Sequence, residues 1–316
     1  MMEKPRIVFM GTPDFAVATL AALHKEGFPI VGVITAPDKP AGRGRKLNES
    51  AVKKYATAKG LTLLQPTNLK DEEFLDNLKS LKPDLQVVVA FRMLPKLVWA
   101  IPTMGTFNLH ASLLPNYRGA APINWSIING EKETGATTFF IDEKIDTGEI
   151  LLQDSTAISK EDTAGSLHDR LMVLGAKLVV KTVEKLMTGE VSPRKQKEDG
   201  QLKLAHKLHK DTCELAWDQP LNKVYDKIRG LSPYPTAWST LYNGEDKLTM
   251  KIYSATKEEV KHEVEFGAIS FTKNELKVAV MGGYINLLEI QLPGKRRMTT
   301  KEVLNGLKLE KNAFMR

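Results

Sequence analysis

The sequence predicts an α/β protein in which a doubly wound, mostly parallel sheet is followed by a small C-terminal β-barrel. Three observations predict it. Over the first 90 residues, short β-branched and apolar runs alternate with segments of helical spacing, as βαβ units do. One run, "DLQVVVA" (84–90), is almost continuously apolar, as a strand covered by helices on both faces must be. Beyond residue 236, short alternating runs separated by turn residues replace the helices.

Element by element, "PRIVFMG" (5–11) is the first strand, and "DFAVATLAALHKEG" (14–27) follows as a helix with Asp14 as its cap and Gly27 as its stop. "PIVGVIT" (29–35) is the second strand, helices lie near 50–59 and 71–81, and "DLQVVVA" is the next strand. "GTFNLH" (105–110) is a strand ending in Asn108 and His110, two apart and so on one face. "GATTFFID" (135–142) is another, followed by the turn "EKIDTGE" (143–149), and an amphipathic helix spans 161–187. This succession is a Rossmann-like arrangement. "GEVSPRKQKEDGQLKLAHKLHK" (189–210) is polar and weakly periodic, which suits a surface linker. After a helix over 219–231, the runs "AWSTLY", "LTMKIYSA", "GAISFT", "LKVAV" and "YINLLEI" have the spacing of an OB-like barrel, closed by a short helix near 299–308. The expected division is 1–189 as a first domain, 190–208 as linker and 209–316 as the barrel domain. A chain of 316 residues is long enough for two cores.

Composition narrows the function classes. With 42% hydrophobic and 26% charged residues, the chain reads as an ordinary globular protein. No apolar run reaches the roughly 20 residues of a membrane helix, and "MMEKPRIVFMG" lacks the core of a signal peptide, so a cytoplasmic home without membrane contact is expected. The single cysteine, Cys213, excludes an internal disulfide and reads as a small apolar residue. No metal is expected, and His206 and His209 read as linker surface. The net charge of +7 is unevenly spread. Residues 201–316 hold 19 Lys and Arg against 14 Asp and Glu, leaving 26 against 24 for residues 1–200. A basic barrel suits a solvated surface or a nucleic acid, whose phosphates reward clustered cations through counterion release.

The chemistry-bearing residues stand where an open α/β sheet gathers its ligands, beyond the carboxyl ends of its strands. Gly11 alone does not make a dinucleotide fingerprint, so NAD is rejected. Asn108, His110 and Asp146 form the stronger signal. A histidine moves protons near neutral pH, an asparagine amide donates to a developing oxyanion, and a carboxylate orients the imidazole or takes a proton. Ser112 has no nucleophile elbow around it, so the trio points to direct transfer between two bound substrates. The loop "APDKPAGRGRKLNE" (36–49) puts Lys39, Arg43, Arg45 and Lys46 on the same edge of the sheet. It reads as an exposed surface loop or as a holder for a polyanion.

"FNLHASLLPNYRGAAPI" and "IDEKIDTGEIL" closely resemble the two signature stretches of the formyltransferases that use 10-formyltetrahydrofolate. That resemblance implies Asn108, His110 and Asp146 as the catalytic group. It places the folate against Val89, Phe91, Leu94, Ser112, Leu113, Leu114, Pro115, Ile141 and Asp142. "AFRMLP" departs from the family's longer form, with Arg92 standing in a glycine region. The basic loop and "LSPYPTAW" (231–238) are similar to the members that act on initiator methionyl-tRNA. They imply tRNA contacts at Lys39, Arg43, Arg45 and Lys46 and in the barrel cluster Lys295, Arg296 and Arg297. A monomer suffices for this chemistry. The alternatives are a formyltransferase with a small amine substrate, a hydrolase releasing formate from the same folate, and a non-catalytic RNA-binding protein.

Overall fold

The structure, a computed structural model, describes residues 3–41, 46–197 and 200–316, with the side chains of residues 40, 41 and 46 outside that description. The chain divides into two compact units, Met1–Gly119 with Thr134–Thr156 and His168–Leu204, and Ala120–Glu133 with Ala157–Leu167 and Ala205–Arg316.

The first unit is built on a seven-stranded sheet whose members are β1 (Ile7–Gly11), β2 (Ile30–Ile34), β3 (Leu63–Leu64), β4 (Leu85–Val89), β5 (Thr106–His110), β6 (Glu133–Phe140) and β7 (Ile150–Ala157), in the spatial order β7-β6-β5-β4-β1-β2-β3. The strands from β3 to β5 pair in parallel, and β6 runs antiparallel to β5. All five residues of β1 and of β4 are buried, which is why these strands carry nearly continuous apolar letters rather than alternation, broken in β4 only by Gln86, whose amide oxygen accepts from the Thr106 hydroxyl at 2.9 Å. Helices α1 (Asp14–Lys25), α2 (Ala51–Ala58) and α3 (Glu72–Ser80) follow the early strands. Ser50 caps α2 by accepting the Lys53 N–H at 3.0 Å, and Asp71 caps α3 by accepting that of Phe74 at 3.1 Å. The expectation that Asp14 caps α1 is corrected. Pro13 holds the cap position without a side-chain bond, and Asp14 is the first helical residue, where its charge faces the positive end of the helix dipole.

Further along are α4 (Lys96–Trp99), α5 (Pro122–Ile128) and the long α6 (Ala164–Thr188). Neither α5 nor β7 is marked by its letters. "PINWSII" is too short and apolar to separate helix from buried strand, and "ILLQDSTA" loses its apolar character halfway.

In the second unit, α7 (Leu221–Leu231) lies beside α5, with Asn124 donating its amide to Gly230 O at 2.8 Å. Gly230 has no room for a side chain, since a Cβ there would meet Ile128 Cγ1 at 2.6 Å. The buried Arg229 donates to Asp162 O and Ser159 O and pairs with Asp226 at 2.8 Å, so its charge is not left uncompensated. The barrel comprises β8 (Ala237–Asn243), β9 (Asp246–Glu259), β10 (Ile269–Phe271), β11 (Leu276–Val280), β12 (Gly283–Gln291), β13 (Met298–Thr299) and β14 (Phe314–Met315). Its strands follow the order β10-β11-β12-β9-β8-β14, with β13 beside β12. A bridge between Ala268 and Phe314 joins the two ends of that path, so the sheet closes on itself. Trp217, Leu241, Met250, Ile252, Val278, Ile285 and Ile290 fill the interior, and the Trp217 indole N–H reaches Ser239 Oγ at 2.8 Å. The final helix is α8 (Thr300–Leu304). Cys213 is buried, with its thiol directed at His209 O, while His206 and His209 are exposed.

No helix among the described residues is long and apolar enough to cross a membrane.

Candidate active site

Strand β5 carries two of the three expected catalytic residues. Asn108 sits between Val88 of β4 and Phe139 of β6, and its side chain is half-buried. His110, two residues on, is only 7% exposed. Its Nε2 lies 2.7 Å from Tyr117 O. A carbonyl only accepts, so Nε2 carries a proton, and in the neutral ring Nδ1 keeps its lone pair. That Nδ1 stands 3.8 Å from Asp146 Oδ2, beyond a direct hydrogen bond but within ion-pair reach once the ring is protonated.

The loop after β5 ties both partners. Its Tyr117 carbonyl holds the imidazole, and its Gly119 N–H donates to Asp146 Oδ2 at 2.9 Å. Tyr117 has φ 62° and Gly119 φ 123°, so the loop reverses through two residues of positive φ, the second one that glycine alone adopts readily. The Asp146 turn is built as tightly. Asp142 accepts from the Lys144 N–H at 2.9 Å and from the Thr147 hydroxyl, and Asp146 itself has φ 57°. At Gly148 a Cβ would fall 1.7 Å from Phe140 O, so no other residue fits there.

The expected folate residues fall into two groups. Phe91, Leu94 and Ile141 belong to one apolar cluster, in which Leu94 is buried and the other two are half-buried. Beside them Met93, Leu97 and Ile145 are 72%, 60% and 61% exposed, a concentration of accessible apolar surface. An ion pair of 3.1 Å between Lys96 and Glu143 joins the two segments. Arg92 donates to the carbonyls of Thr67 and Pro66. The second group is more enclosed. Val89 is fully buried, as is Ser112, whose hydroxyl donates to Asn116 O at 2.7 Å. Leu114 packs with Phe139 and Ile150, and Leu113 and Pro115 are half-buried. Asp142 is exposed, with its carboxylate engaged by its own loop.

Of the expected tRNA residues, Arg43 and Arg45 and the Lys46 side chain lie outside the described residues. Lys39 is exposed on a short strand, Lys39–Ala41, paired with Lys46–Asn48. Next to it Asp38 is held by Lys53 and by Gln65 at 2.9 Å, and the hydrogen bond from Lys53 lowers the Asp38 carboxyl below its usual range. In the barrel, Arg296 pairs with Glu302 at 2.7 Å, and Arg297 pairs with Glu289 and stacks over the Tyr253 ring at 4.6 Å. Among the described residues no group of three or more His, Cys, Asp or Glu is placed to hold a metal ion.

Three residues at this site escape a reading of the sequence: Tyr117, Gly119 and Gln196. The first two act through backbone atoms. Gln196 lies in the polar stretch expected as linker, yet its amide donates to Asp146 O and Gly148 O, both at 2.9 Å.

Comparison with known proteins gives one answer. The formyl transferase family model matches residues 5–183, and the model of the formyl transferase C-terminal domain matches 207–308. A methionyl-tRNA formyltransferase of Flavobacterium johnsoniae is 56% identical over 306 residues, covering 97% of each chain. One of Bacteroides fragilis is 53% identical over 312 residues, covering 97% of this chain and 96% of its own. Among solved structures, the sugar 3N-formyl transferase WlaRD aligns with a TM-score of 0.65 over 93% of this chain and all of its own, at 19% identity, a likeness of fold.

Proposed function

The chain belongs to the formyl transferase family, and we propose that it moves the formyl group of 10-formyltetrahydrofolate onto the free amino group of methionine carried by initiator tRNA, for translation initiation in the cytoplasm. The observation that carries the catalytic assignment is the fixed imidazole of His110, tied through Nε2 to Tyr117 O with Nδ1 facing Asp146.

The folate supplies an activated formyl group. The apolar pair Phe91 and Ile141 suits its flat ring system, and the exposed Met93 and Ile145 beside them supply further apolar surface. When the methionine amine attacks, negative charge develops on the formyl oxygen, and the Asn108 amide donates to it without titrating. His110 has Nε2 committed, so it donates to that oxygen through Nδ1, which requires the imidazolium form. Asp146, 3.8 Å from the ring, accepts the proton that the attacking nitrogen releases, and as the tetrahedral intermediate collapses the bond between the formyl carbon and the folate nitrogen breaks, with that nitrogen taking up the proton as it leaves. No covalent enzyme intermediate is needed. One chain carries the whole trio, so a monomer suffices.

Residues 1–189 perform the chemistry in this reading, 190–208 link, and 209–316 hold tRNA. Lys39, Arg43, Arg45 and Lys46 meet the acceptor end, while Arg296 and Arg297 meet phosphates farther along the stem. Those two arginines exchange their carboxylate partners for phosphate on binding, which makes their contribution small.

The test offers labelled 10-formyltetrahydrofolate with methionyl initiator tRNA, methionyl elongator tRNA and glycinamide ribonucleotide in parallel. Transfer to initiator tRNA alone is expected. Transfer only to the small amine would retain the trio and remove the tRNA assignment, and formate release without an acceptor would make the protein a hydrolase.

A further inference from the structure

We propose that Gln196 is a positioning residue for formyl transfer that acts through Asp146, an inference that rests on the catalytic reading of Asp146 given above. Asp146 places its carboxylate from a backbone in the left-handed region, φ 57°, which a residue with a Cβ leaves readily unless its neighbours over-determine it. The side chain has Gly119 N–H as a partner, but the backbone of the turn needs its own restraint. Gln196 supplies it. The single amide nitrogen donates to the two carbonyls that flank Thr147, those of Asp146 and Gly148, at 2.9 Å each.

Its other end is equally committed. The Gln196 amide oxygen accepts from Arg118 Nε at 3.0 Å and Arg118 Nη2 at 2.7 Å. Two carbonyls on one side and a guanidinium on the other fix which end is nitrogen and which is oxygen. Arg118 lies in the chain between Tyr117, which holds His110, and Gly119, which holds the Asp146 carboxylate. One glutamine therefore joins the loop that orients the imidazole to the turn that carries its carboxylate. Arg194, two residues earlier, exchanges backbone hydrogen bonds with Ile150 at 2.8 and 2.9 Å, which anchors the segment beside the same turn.

The residue type follows from that position. Lysine at 196 would donate to the carbonyls but could not accept from Arg118, and glutamate would accept from Arg118 but, ionised, would face two carbonyls with no proton to give. Gln196 has no hydrogen bond to the side chains of Asn108, His110 or Asp146 among those described, so it acts on the reaction by placement.

The test compares Gln196→Leu, Gln196→Glu, Asp146→Asn and the double variant Gln196→Leu with Asp146→Asn, with thermal melts to confirm folding. Gln196→Leu is expected to lower kcat about 10- to 100-fold, with KM for folate and for tRNA changed less than about threefold, because small misplacement of a reacting group costs rate rather than binding. Gln196→Glu keeps an acceptor for Arg118 but, with its carboxyl held ionised by that guanidinium, has no proton for the two carbonyls, so between about pH 6 and 8 it is expected to lower kcat about as much as Gln196→Leu does. In the Asp146→Asn background the Gln196→Leu change is expected to cost less than about twofold more.

Full turnover in Gln196→Leu beside a crippled Asp146→Asn would overturn this inference alone. Full turnover in Asp146→Asn would remove the catalytic reading and this inference with it. A multiplicative loss in the double variant, or full turnover in Gln196→Glu, would assign Gln196 a role apart from Asp146. The Glu variant decides the matter if the Leu variant does not fold.

Discussion

The Asp146 side chain is 14% exposed and takes a backbone N–H from Gly119, whereas the Arg296 side chain in the barrel is 71% exposed and takes its partner from the side chain of Glu302. Around His110 and Asp146, polar side chains are held by backbone atoms of a loop that turns through positive φ, so each group has one direction to point. In the barrel turn, long side chains pair with each other in water, where such pairs are worth about 0–1 kcal/mol and exchange partners readily. Chemistry needs the first arrangement because a reacting atom tolerates little misplacement. Phosphate binding tolerates the second, since it rewards cations with little demand on geometry.

Substitutions break or sharpen that contrast in order of size. Asn108→Ala should lower kcat about 100- to 1,000-fold, equivalent to about 2.7–4 kcal/mol of transition-state stabilisation, with an unchanged thermal melt. Single-turnover formyl transfer measures it, and near-normal turnover would exclude Asn108 as an oxyanion donor. Gly148→Ala tests the backbone side of the comparison. Its Cβ would fall on Phe140 O, so the turn must shift, with a loss of about 1–3 kcal/mol in denaturant unfolding and a parallel loss of rate from displacing Asp146. Arg43→Glu should raise KM for initiator tRNA about tenfold while leaving KM for folate nearly unchanged, and equal change in both would remove the basic loop from tRNA selection.

The barrel side should respond least. Replacing Arg296 and Arg297 by alanine should reduce the slope of log affinity against log salt by at most about 2, read from tRNA binding at several ionic strengths. An unaltered slope would drop both from the interface. Glu302 gives the smallest effect. Its hydrogen bonds, first from Arg296 and then from the N–H and hydroxyl of Thr299, pull its carboxyl from 4.5 down to about 2. A depressed folded value means that the stabilisation is present above 4.5 and is lost as pH falls towards 2. The stability difference between the unmodified protein and Glu302→Gln should therefore narrow between pH 4.5 and 2, and a constant difference would mean that the capping box of α8 works without the charge.

Much of the architecture was legible in the letters. The runs "IVFMG" and "LQVVV" could be assigned as strands because burial on both faces leaves them almost wholly apolar, "TFNLH" because its apolar and β-branched residues alternate with Asn108 and His110 on one face, and the barrel strand "AWSTLYN" because its burial has period two. The chain segments that escaped carry weaker patterns. "PINWSII" is a seven-residue helix opened by proline, and "ILLQDSTA" mixes buried and exposed residues without a period. Around the site, Asn108, His110 and Asp146 stood out because their side chains have distinctive chemistry. Tyr117 and Gly119 did not, since they act through a carbonyl and an N–H.

What the sequence determined by itself is most of the strands and helices, the change from α/β to barrel, and the residue types available for transfer chemistry, because periodic burial and side-chain identity are written in the letters. The tertiary structure alone decided that Tyr117 O fixes the proton on His110 Nε2, that Gly119 N–H steadies Asp146, and that Gln196, from a stretch of linker-like composition, braces the turn. The physical reason is that almost every residue offers the same backbone donor and acceptor, so only the path of the folded chain selects which of them a catalytic side chain meets.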